Sequence, residues 1–304
     1  MAVRLSGEPR SGACDVDVEE LAGRLAGQQS PGGAFLSRVE LPWGDSGDRN
    51  CFVTALVVRE LHGVTGLEEV DEARRRALGF LTRGRYPVYR DLFAFYPHGG
   101  HPFWMRSALY PDADDTSVIN LELMRAGLLD AEAAAAVAER YLTRHRAVGE
   151  AAVHLTRPWH REGVFLTWLT GAPVPNPIDC CVNTNVIALL AAAGMRGAPG
   201  YAEACDMVVT AALDTAARGV HDRRRTPFYP GPGEWSRALR HAVAMGADEL
   251  APAAQALSGV PDPDEGADAP AVCCDVTGRI VWRSTAVALA RRLRAATEHE
   301  EGPR

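Results

Sequence analysis

The sequence predicts an all-α protein: a single α/α toroid (barrel) of helical hairpins that spans residues 1–304. Apolar residues recur with helical periodicity along most of the chain, and almost no stretch alternates between apolar and polar residues. Four strongly apolar helices begin with a similar small polar residue, at Thr54, Thr116, Thr184 and Thr285. Because these helices alternate with amphipathic helices that carry Arg and Glu, we expect two concentric layers.

Nine segments show the helical period, and Gly- and Pro-rich connections separate them. They are Val16 to Gly27, Thr54 to His62, Glu68 to Arg83, Thr116 to Arg125, Ala131 to Arg146, Asn185 to Ala193, Tyr201 to Ala217, Ser236 to Met245 and Ser284 to Ala296. The similar starts are offset by 62, 68 and 101 residues, so the widest gap has room for one more repeat. Residues 1–15 and 297–304 are expected to be disordered tails, and residues 259–272 a flexible internal loop.

A toroid of this kind directs the N-termini of its inner helices toward one mouth. Capping side chains and the positive ends of the helix dipoles gather there, so we expect the functional residues beside these N-termini. A plain irregular helix bundle is the alternative architecture.

Composition excludes several classes of function. All 32 basic residues are Arg, and without Lys the chain cannot form a Schiff base, anchor pyridoxal phosphate or supply a Walker-type phosphate Lys. The net charge of -7 argues against nucleic acid as a partner. No signal peptide or apolar run long enough for a transmembrane segment occurs, which predicts a cytoplasmic protein. Seven Cys without a C-x-x-C spacing favour reduced, buried thiols.

Three carboxyl groups are crowded at one predicted helix start, at Asp112, Asp114 and Asp115. A single Asp would suffice as a helix cap, so simple capping does not require this cluster. Against an apolar interior the three groups repel one another, and a retained proton on one of them relieves the repulsion and raises its pKa. A neutral carboxylic acid in a dry cavity is suited to general-acid chemistry.

The segment Asp112-Ala113-Asp114-Asp115-Thr116 resembles the D-x-D-D-T signature of class II terpene cyclases, the squalene-hopene cyclase type with prenyltransferase/squalene oxidase repeats. The resemblance implies an isomerase or intramolecular lyase in which Asp114 protonates an alkene or epoxide, while Asp112 and Asp115 position and polarise it. Weaker similarities to the family's repeats occur at residues 32–35, 163–168 and 278–282. The chain is long enough for only one toroid, and it lacks intact Gln-Trp repeats as well as the D-D-x-x-D and N-S-E metal motifs of class I enzymes.

Aromatic residues are concentrated just before the acidic cluster, where eight of the chain's 21 fall between Tyr86 and Tyr110. Aromatic faces stabilise carbocations, although the same excess also fits a packed loop over a core. The predicted substrate-binding residues are Phe95, Tyr96, Phe103, Trp104, Tyr110, Trp168, Phe228 and Tyr229. The predicted partner is a small hydrophobic isoprenoid, with no cofactor except Mg²⁺ if the substrate carries a diphosphate, and a homo-oligomer is left open.

Other residue groups suggest weaker hypotheses. His98 and His101 with the nearby Asp residues, or Asp179-Cys180-Cys181 with His221, resemble metal ligand sets. The run Arg223-Arg224-Arg225 is a candidate diphosphate clamp, although such runs are more often solvated surface.

Two rival functions stay open at this point. A glycosidase or polysaccharide lyase on an α/α toroid would need a second carboxyl group, such as Asp179 or Glu162. A non-catalytic toroid that binds a lipid or a partner chain would use the Asp cluster only as a cap.

Overall fold

The computed structural model describes residues 17–86, 89, 91–105, 109–169 and 176–300. Within them lie ten α-helices and four strands. The helices are α1 Val18–Ala26, α2 Cys51–Glu60, α3 Glu68–Arg83, α4 Ala113–Arg125, α5 Ala131–Arg140, α6 Cys180–Ala192, α7 Tyr201–Arg218, α8 Pro232–Ala244, α9 Ala251–Leu257 and α10 Thr285–Glu300. The strands are β1 Leu36–Leu41, β2 Gly44–Arg49, β3 Ala271–Cys274 and β4 Val281–Arg283.

The helices form two layers. Helices α10, α2, α4, α6 and α8 pack side by side in that order, and α1, α3, α5, α7 and α9 cover them from outside. Helices α2, α4 and α6 are buried over nearly their whole length, whereas α3, α5 and α7 bury only one face, as inner and outer layers require. Helix α8 occupies the widest gap between the similar starts, where the sequence left room for one more repeat.

Buried ion pairs connect three of the inner helices. Glu234 of α8 pairs with Arg59 of α2 at 3.3 Å and with Arg291 of α10. Arg291 also contacts Glu60 of α2 at 3.4 Å. Because each buried charge has an opposite charge within reach, the network links three helices without leaving an unpaired ion inside.

A repeated contact occurs at three inner-helix starts, through Thr54 and Thr116 of the sequence pattern and through Asn183 rather than Thr184. In three hairpins a polar side chain in the first turns of an inner helix accepts a hydrogen bond from the backbone N–H of a Phe in the preceding loop. The pairs are Phe35 with Thr54, Phe93 with Thr116 and Phe165 with Asn183. A buried loop N–H needs such an acceptor, so a small polar residue recurs at this position.

The all-α prediction is wrong in one respect, because a four-stranded antiparallel sheet with the order β2-β1-β4-β3 lies beside the helices. Its strands are short, and β2 is polar with two Gly residues. A local window of the sequence therefore shows no sustained alternation of apolar and polar residues that would predict a strand. Strand β1 pairs with β4 across more than 200 residues, with Val39 opposite Trp282. A contact of that range leaves no local signal in the sequence.

The expected disordered tails and flexible loop stay predictions. Residues 1–15, and residues 301–304 of the second tail, lie outside the described residues. Helix α10 continues to Glu300, past the expected tail start at 297, and an ion pair of 2.7 Å between Arg294 and Glu298 supports this last turn. In the segment 259–272, Asp264 pairs with Arg283 at 3.0 Å, while flexibility there stays a prediction. None of the helices in the described part of the chain has the length and apolarity needed to cross a membrane.

Candidate active site

An apolar cavity of about 270 Å³ lies where the inner helices begin. Each inner helix contributes a lining residue from its first turn or from the segment just before it: Phe52 for α2, Asp114 for α4, Val182 for α6, Tyr229 for α8 and, on strand β4, Trp282 for α10. The cavity therefore lies at the end of the inner helices where functional residues are expected, and their function stays a prediction. The volume is slightly below the roughly 300–1,000 Å³ that is typical of ligand pockets.

All three carboxyl groups of the acidic cluster line this cavity and are buried. Asp112 is the N-cap of α4, and its side chain accepts a hydrogen bond of 2.7 Å from the backbone N–H of Asp115. The backbone N–H of Ala113 donates to the carbonyl of Thr167 at 2.7 Å, which ties the helix start to a neighbouring loop. Capping therefore needs only Asp112, and the other two carboxyl groups are free for a different role.

Asp114 is held by two hydrogen bonds from other helices or loops. The amide of Asn185, on α6, donates to its Oδ1 at 2.6 Å, and the hydroxyl of Tyr229 donates to its Oδ2. Burial raises the pKa of Asp114, while these two hydrogen bonds and the Arg59 guanidinium act in the opposite direction. Each carboxyl oxygen keeps one further lone pair, so a proton on Asp114 can point into the cavity.

Asp112 and Asp115 form a second acidic unit beside Asp114. Burial raises the pKa of Asp112 to about 7, and burial together with the Asp112 charge raises the pKa of Asp115 well above its usual range. Because the two carboxyl groups are buried and interact, the pair as a whole favours retention of a proton. Its Oδ1 has no hydrogen-bond partner among the described residues.

Asp179 is a fourth buried carboxyl group near the cavity. It caps α6 through the backbone N–H groups of Cys181 at 2.6 Å and Val182 at 3.1 Å. Its other oxygen accepts from the backbone N–H of Phe228 at 3.1 Å, which fixes the loop that carries Phe228 and Tyr229. Burial nevertheless raises the pKa of Asp179 to about 8.

Five of the eight predicted substrate-binding residues line the cavity: Phe95, Trp104, Trp168, Phe228 and Tyr229. The other three lie outside its wall, and substrate binding by any of the eight stays a prediction. Tyr96 is buried but turns away to donate a hydrogen bond to Asp48 at 3.2 Å. Phe103 is 95% exposed and Tyr110 is 44% exposed, because the aromatic-rich segment runs over the surface on both sides of its buried part.

Sequence reasoning missed several residues of the site. Phe52 and Trp282 add aromatic rings, and Asn185 supplies a hydrogen bond to the acid. Trp282 is the last residue of the segment 278–282. The similarity of that segment to a cyclase repeat is the one sequence feature that points to Trp282. Asn185 could have been found from its place in the first turns of an apolar inner helix, where a buried amide needs a polar partner.

The alternative metal and diphosphate sites do not form. No group of three or more His, Cys, Asp or Glu side chains within the described ranges is arranged to hold a metal ion. Each Arg of the 223–225 run is engaged elsewhere: Arg223 with the carbonyls of Pro227 and Val276, Arg224 with Asp222, and Arg225 with Asp214. The diphosphate clamp is therefore wrong as an arrangement of three Arg side chains around one anion.

No protein-family model matches the chain, and a search of curated proteins finds no match. Among solved structures, a protein from Actinoplanes is similar with a TM-score of 0.50 and 17% identity, over 92% of this chain and 99% of that chain. The type II terpene cyclase MstE from Scytonema without ligand gives a TM-score of 0.43 and 14% identity, over 93% of this chain and 98% of that chain. A variant of MstE in complex with geranylgeranyl dihydroxybenzoate as substrate gives 0.40 and 15%, over 92% and 97%. The likeness to the Actinoplanes protein is one of fold alone.

Proposed function

We propose that this protein is a cyclase that protonates an isoprenoid chain, terpenoid or meroterpenoid, with Asp114 as the general acid. The observation that carries the proposal is a buried carboxyl group, fixed by Asn185 and Tyr229, at the wall of an apolar and aromatic cavity. Burial favours the protonated form of such a group, because the apolar surroundings disfavour its charge. The D-x-D-D-T resemblance of residues 112–116 supports the same role.

The reaction begins when the Asp114 O–H bond breaks and the proton forms a C–H bond at one carbon of the terminal alkene. The positive charge on the other alkene carbon is then attacked by the next double bond, which closes a ring. Loss of a proton from the final cation to water or a polar side chain restores neutrality, so the product is an isomer of the substrate. Asp114 afterwards recovers its proton from solvent.

Aromatic rings around the cavity suit the cationic steps. Phe52 lies 6.0 Å from Phe95 and 6.2 Å from Tyr229, measured between ring centroids, and Trp168 lies 5.9 Å from Phe228. Aromatic faces attract a cation without forming a bond to it, so they stabilise intermediates without trapping them. Water would trap the same intermediates, and an apolar wall keeps it out.

The structure gives no specific support to the sugar-cleaving alternative. Such an enzyme would need polar walls and a second carboxyl group across a cleft. Asp179 is engaged by three backbone N–H groups, and Glu162 is not part of the cavity wall.

Replacement of Asp114 by Asn tests the proposal. The purified protein is incubated with farnesyl and geranylgeranyl diphosphate, their alcohols and prenylated aromatic acids, and isomeric products are detected by mass spectrometry. We expect turnover of at least one substrate by the wild type and a loss of at least about 10²–10⁴-fold in Asp114→Asn. Asp130→Asn is the matched control, since Asp130 caps the exposed start of α5 and Asn also caps helices.

Three results would contradict the assignment. They are cyclisation by Asp114→Asn at the wild-type rate, an equal loss in Asp130→Asn, and no isomeric product from any substrate. Ligand binding without turnover in the last case would indicate a lipid-binding protein, in which the Asp cluster serves only as a cap.

A further inference from the structure

One buried carboxylate belongs to neither the acidic cluster nor the ion network. Asp48, on β2, is 5% exposed, and three donors converge on its Oδ2. The indole N–H of Trp282 donates at 2.8 Å, the amide of Asn50 at 2.9 Å and the hydroxyl of Tyr96 at 3.2 Å. Three hydrogen bonds to one oxygen are what a negatively charged oxygen accommodates best.

The sheet brings Asp48 and Trp282 together. Asp48 pairs with Ser37 of β1, and Trp282 pairs with Val39 of the same strand. Ser37 and Val39 are two residues apart on β1, so both partners project from the same face of the sheet. Asp48 therefore reaches the indole nitrogen from β2, with one strand between them.

Trp282 in turn presents its ring to the cavity. It lines the cavity together with Phe95, whose ring centroid is 4.9 Å away at an interplanar angle of 64°, and with Trp104 at 6.4 Å. Only the indole nitrogen is engaged by Asp48, and the ring itself belongs to the wall. The carboxylate thus stands behind the aromatic wall, on the side away from the substrate.

We propose that Asp48 is a positioning residue that strengthens the hold of Trp282 on a carbocation in the cavity; this rests on the proposed function. An indole N–H that donates to an anion leaves the ring richer in electrons, and a richer ring face attracts a cation more strongly. The hydrogen bond also fixes the orientation of the ring. Tyr96, which the sequence placed in the cavity, acts instead as a second donor that orients the carboxylate.

Asp48→Asn removes the charge with little change of shape. If the amide oxygen takes the place of Oδ2, it still accepts from all three donors, so the variant is expected to fold. Trp282→Phe keeps an aromatic face but has no N–H for residue 48 to act through. Asp45→Asn is the matched control, because Asp45 is an exposed carboxylate on the same strand.

Binding of two isosteric probes separates charge from shape. One is a farnesyl chain that ends in trimethylammonium, and the other is a farnesyl chain that ends in tert-butyl. We expect the wild type to prefer the cation, and Asp48→Asn to weaken cation binding about fivefold in calorimetry. Binding of the tert-butyl probe should stay unchanged in Asp48→Asn, and Asp45→Asn should bind both probes like the wild type. In the Trp282→Phe background, Asp48→Asn should have no further effect.

Several outcomes would overturn the proposal. Equal weakening of both probes would mean that Asp48 serves only the fold. If Asp48→Asn weakened cation binding just as much in the Trp282→Phe background, the charge would act directly on the cation rather than through the indole. If the wild type bound both probes equally, there would be no cation preference for Asp48 to strengthen. The assay needs no turnover, so its result is independent of whether Asp114 passes or fails the test of the proposed function.

Discussion

Tyr229→Phe is the sharpest test of how Asp114 balances proton retention against acid strength. The substitution keeps the aromatic ring in the cavity wall and removes the hydroxyl that donates to Asp114. That hydrogen bond favours the charged carboxylate and so lowers the pKa of Asp114, against the increase caused by burial. Its loss must therefore raise the pKa of Asp114 further.

The size of the effect follows from the contact. A hydrogen bond to a charged group contributes about 1.5–3 kcal/mol, and one pKa unit corresponds to about 1.4 kcal/mol. We expect the pKa of Asp114 to rise by about one to two units in Tyr229→Phe. The carboxylate left after proton transfer loses the same stabilisation, so kcat at low pH should fall by about 10–100-fold.

Tyr229→Phe changes the pH profile of kcat in two ways: the raised pKa extends activity to higher pH, whereas the weaker acid lowers the maximal rate. Activity requires the protonated acid, so kcat falls as the pH rises through the pKa of Asp114. Tyr229→Phe should lower the plateau and move the falling limb to higher pH. The assay is kcat between pH 5 and 9, with the carboxylic C=O infrared band assigned by its absence in Asp114→Asn. A limb displaced to lower pH, or an unchanged plateau, would refute the reasoning.

Buried charges and the cavity wall predict three further outcomes. Burial raises the pKa of Asp179 to about 8 in the folded state, whereas the pKa of an unfolded Asp is about 4. The free energy of unfolding therefore decreases as the pH rises between these two values. Asp179→Asn still caps its helix but cannot titrate, so its melting temperature should drop less than that of the wild type from pH 5 to 9. Glu234→Gln leaves the buried Arg59 and Arg291 with Glu60 as their shared counter-charge and should cost up to about 3–5 kcal/mol in urea unfolding, whereas Glu72→Gln on the surface should change little. Trp168→Ala should change the ratio of cyclised products in mass spectrometry, and Phe103→Ala, outside the cavity, should not. The first assignment would be contradicted if Asp179→Asn and the wild type had the same pH dependence of the melting temperature. The second would be contradicted by equal losses of stability in Glu234→Gln and Glu72→Gln, and the third by equal product ratios in Trp168→Ala and Phe103→Ala.

What the sequence predicts well is local. The acidic cluster spans four residues at one helix start, so crowding, capping and burial were all readable from a short segment. Its hydrogen-bond partners are not local: Asn185 is 71 residues away from Asp114, and Tyr229 is 115 residues away. Tyr229 was predicted only as an aromatic wall residue, and no pattern indicated that its hydroxyl would bind the acid.

The sheet could not be predicted from local sequence either, because its strands depend on pairing between distant segments. Strand β1 alternates between exposed and buried positions, but over six residues this pattern is too short to stand out in a helical chain. Strand β4 has three residues and becomes a strand only because β1 and β3 pair with it. This pairing places the aromatic ring of Trp282 in the cavity wall. A prediction based on helices alone therefore did not include Trp282 among the residues of the wall.

A carboxylic acid that protonates an alkene must meet two requirements that oppose each other in water. It must hold its proton near neutral pH, which calls for a raised pKa, and its conjugate base must be stable at the moment of transfer, which calls for a strong acid. In the proposed role of Asp114, burial acts toward the first requirement, because it raises the pKa of this carboxyl group. The hydrogen bonds from Asn185 and Tyr229 and the positive end of α4 meet the second, because they stabilise the charge only once it appears. Burial also raises the pKa of Asp112 and Asp115, which limits the negative charge that this pair adds beside Asp114.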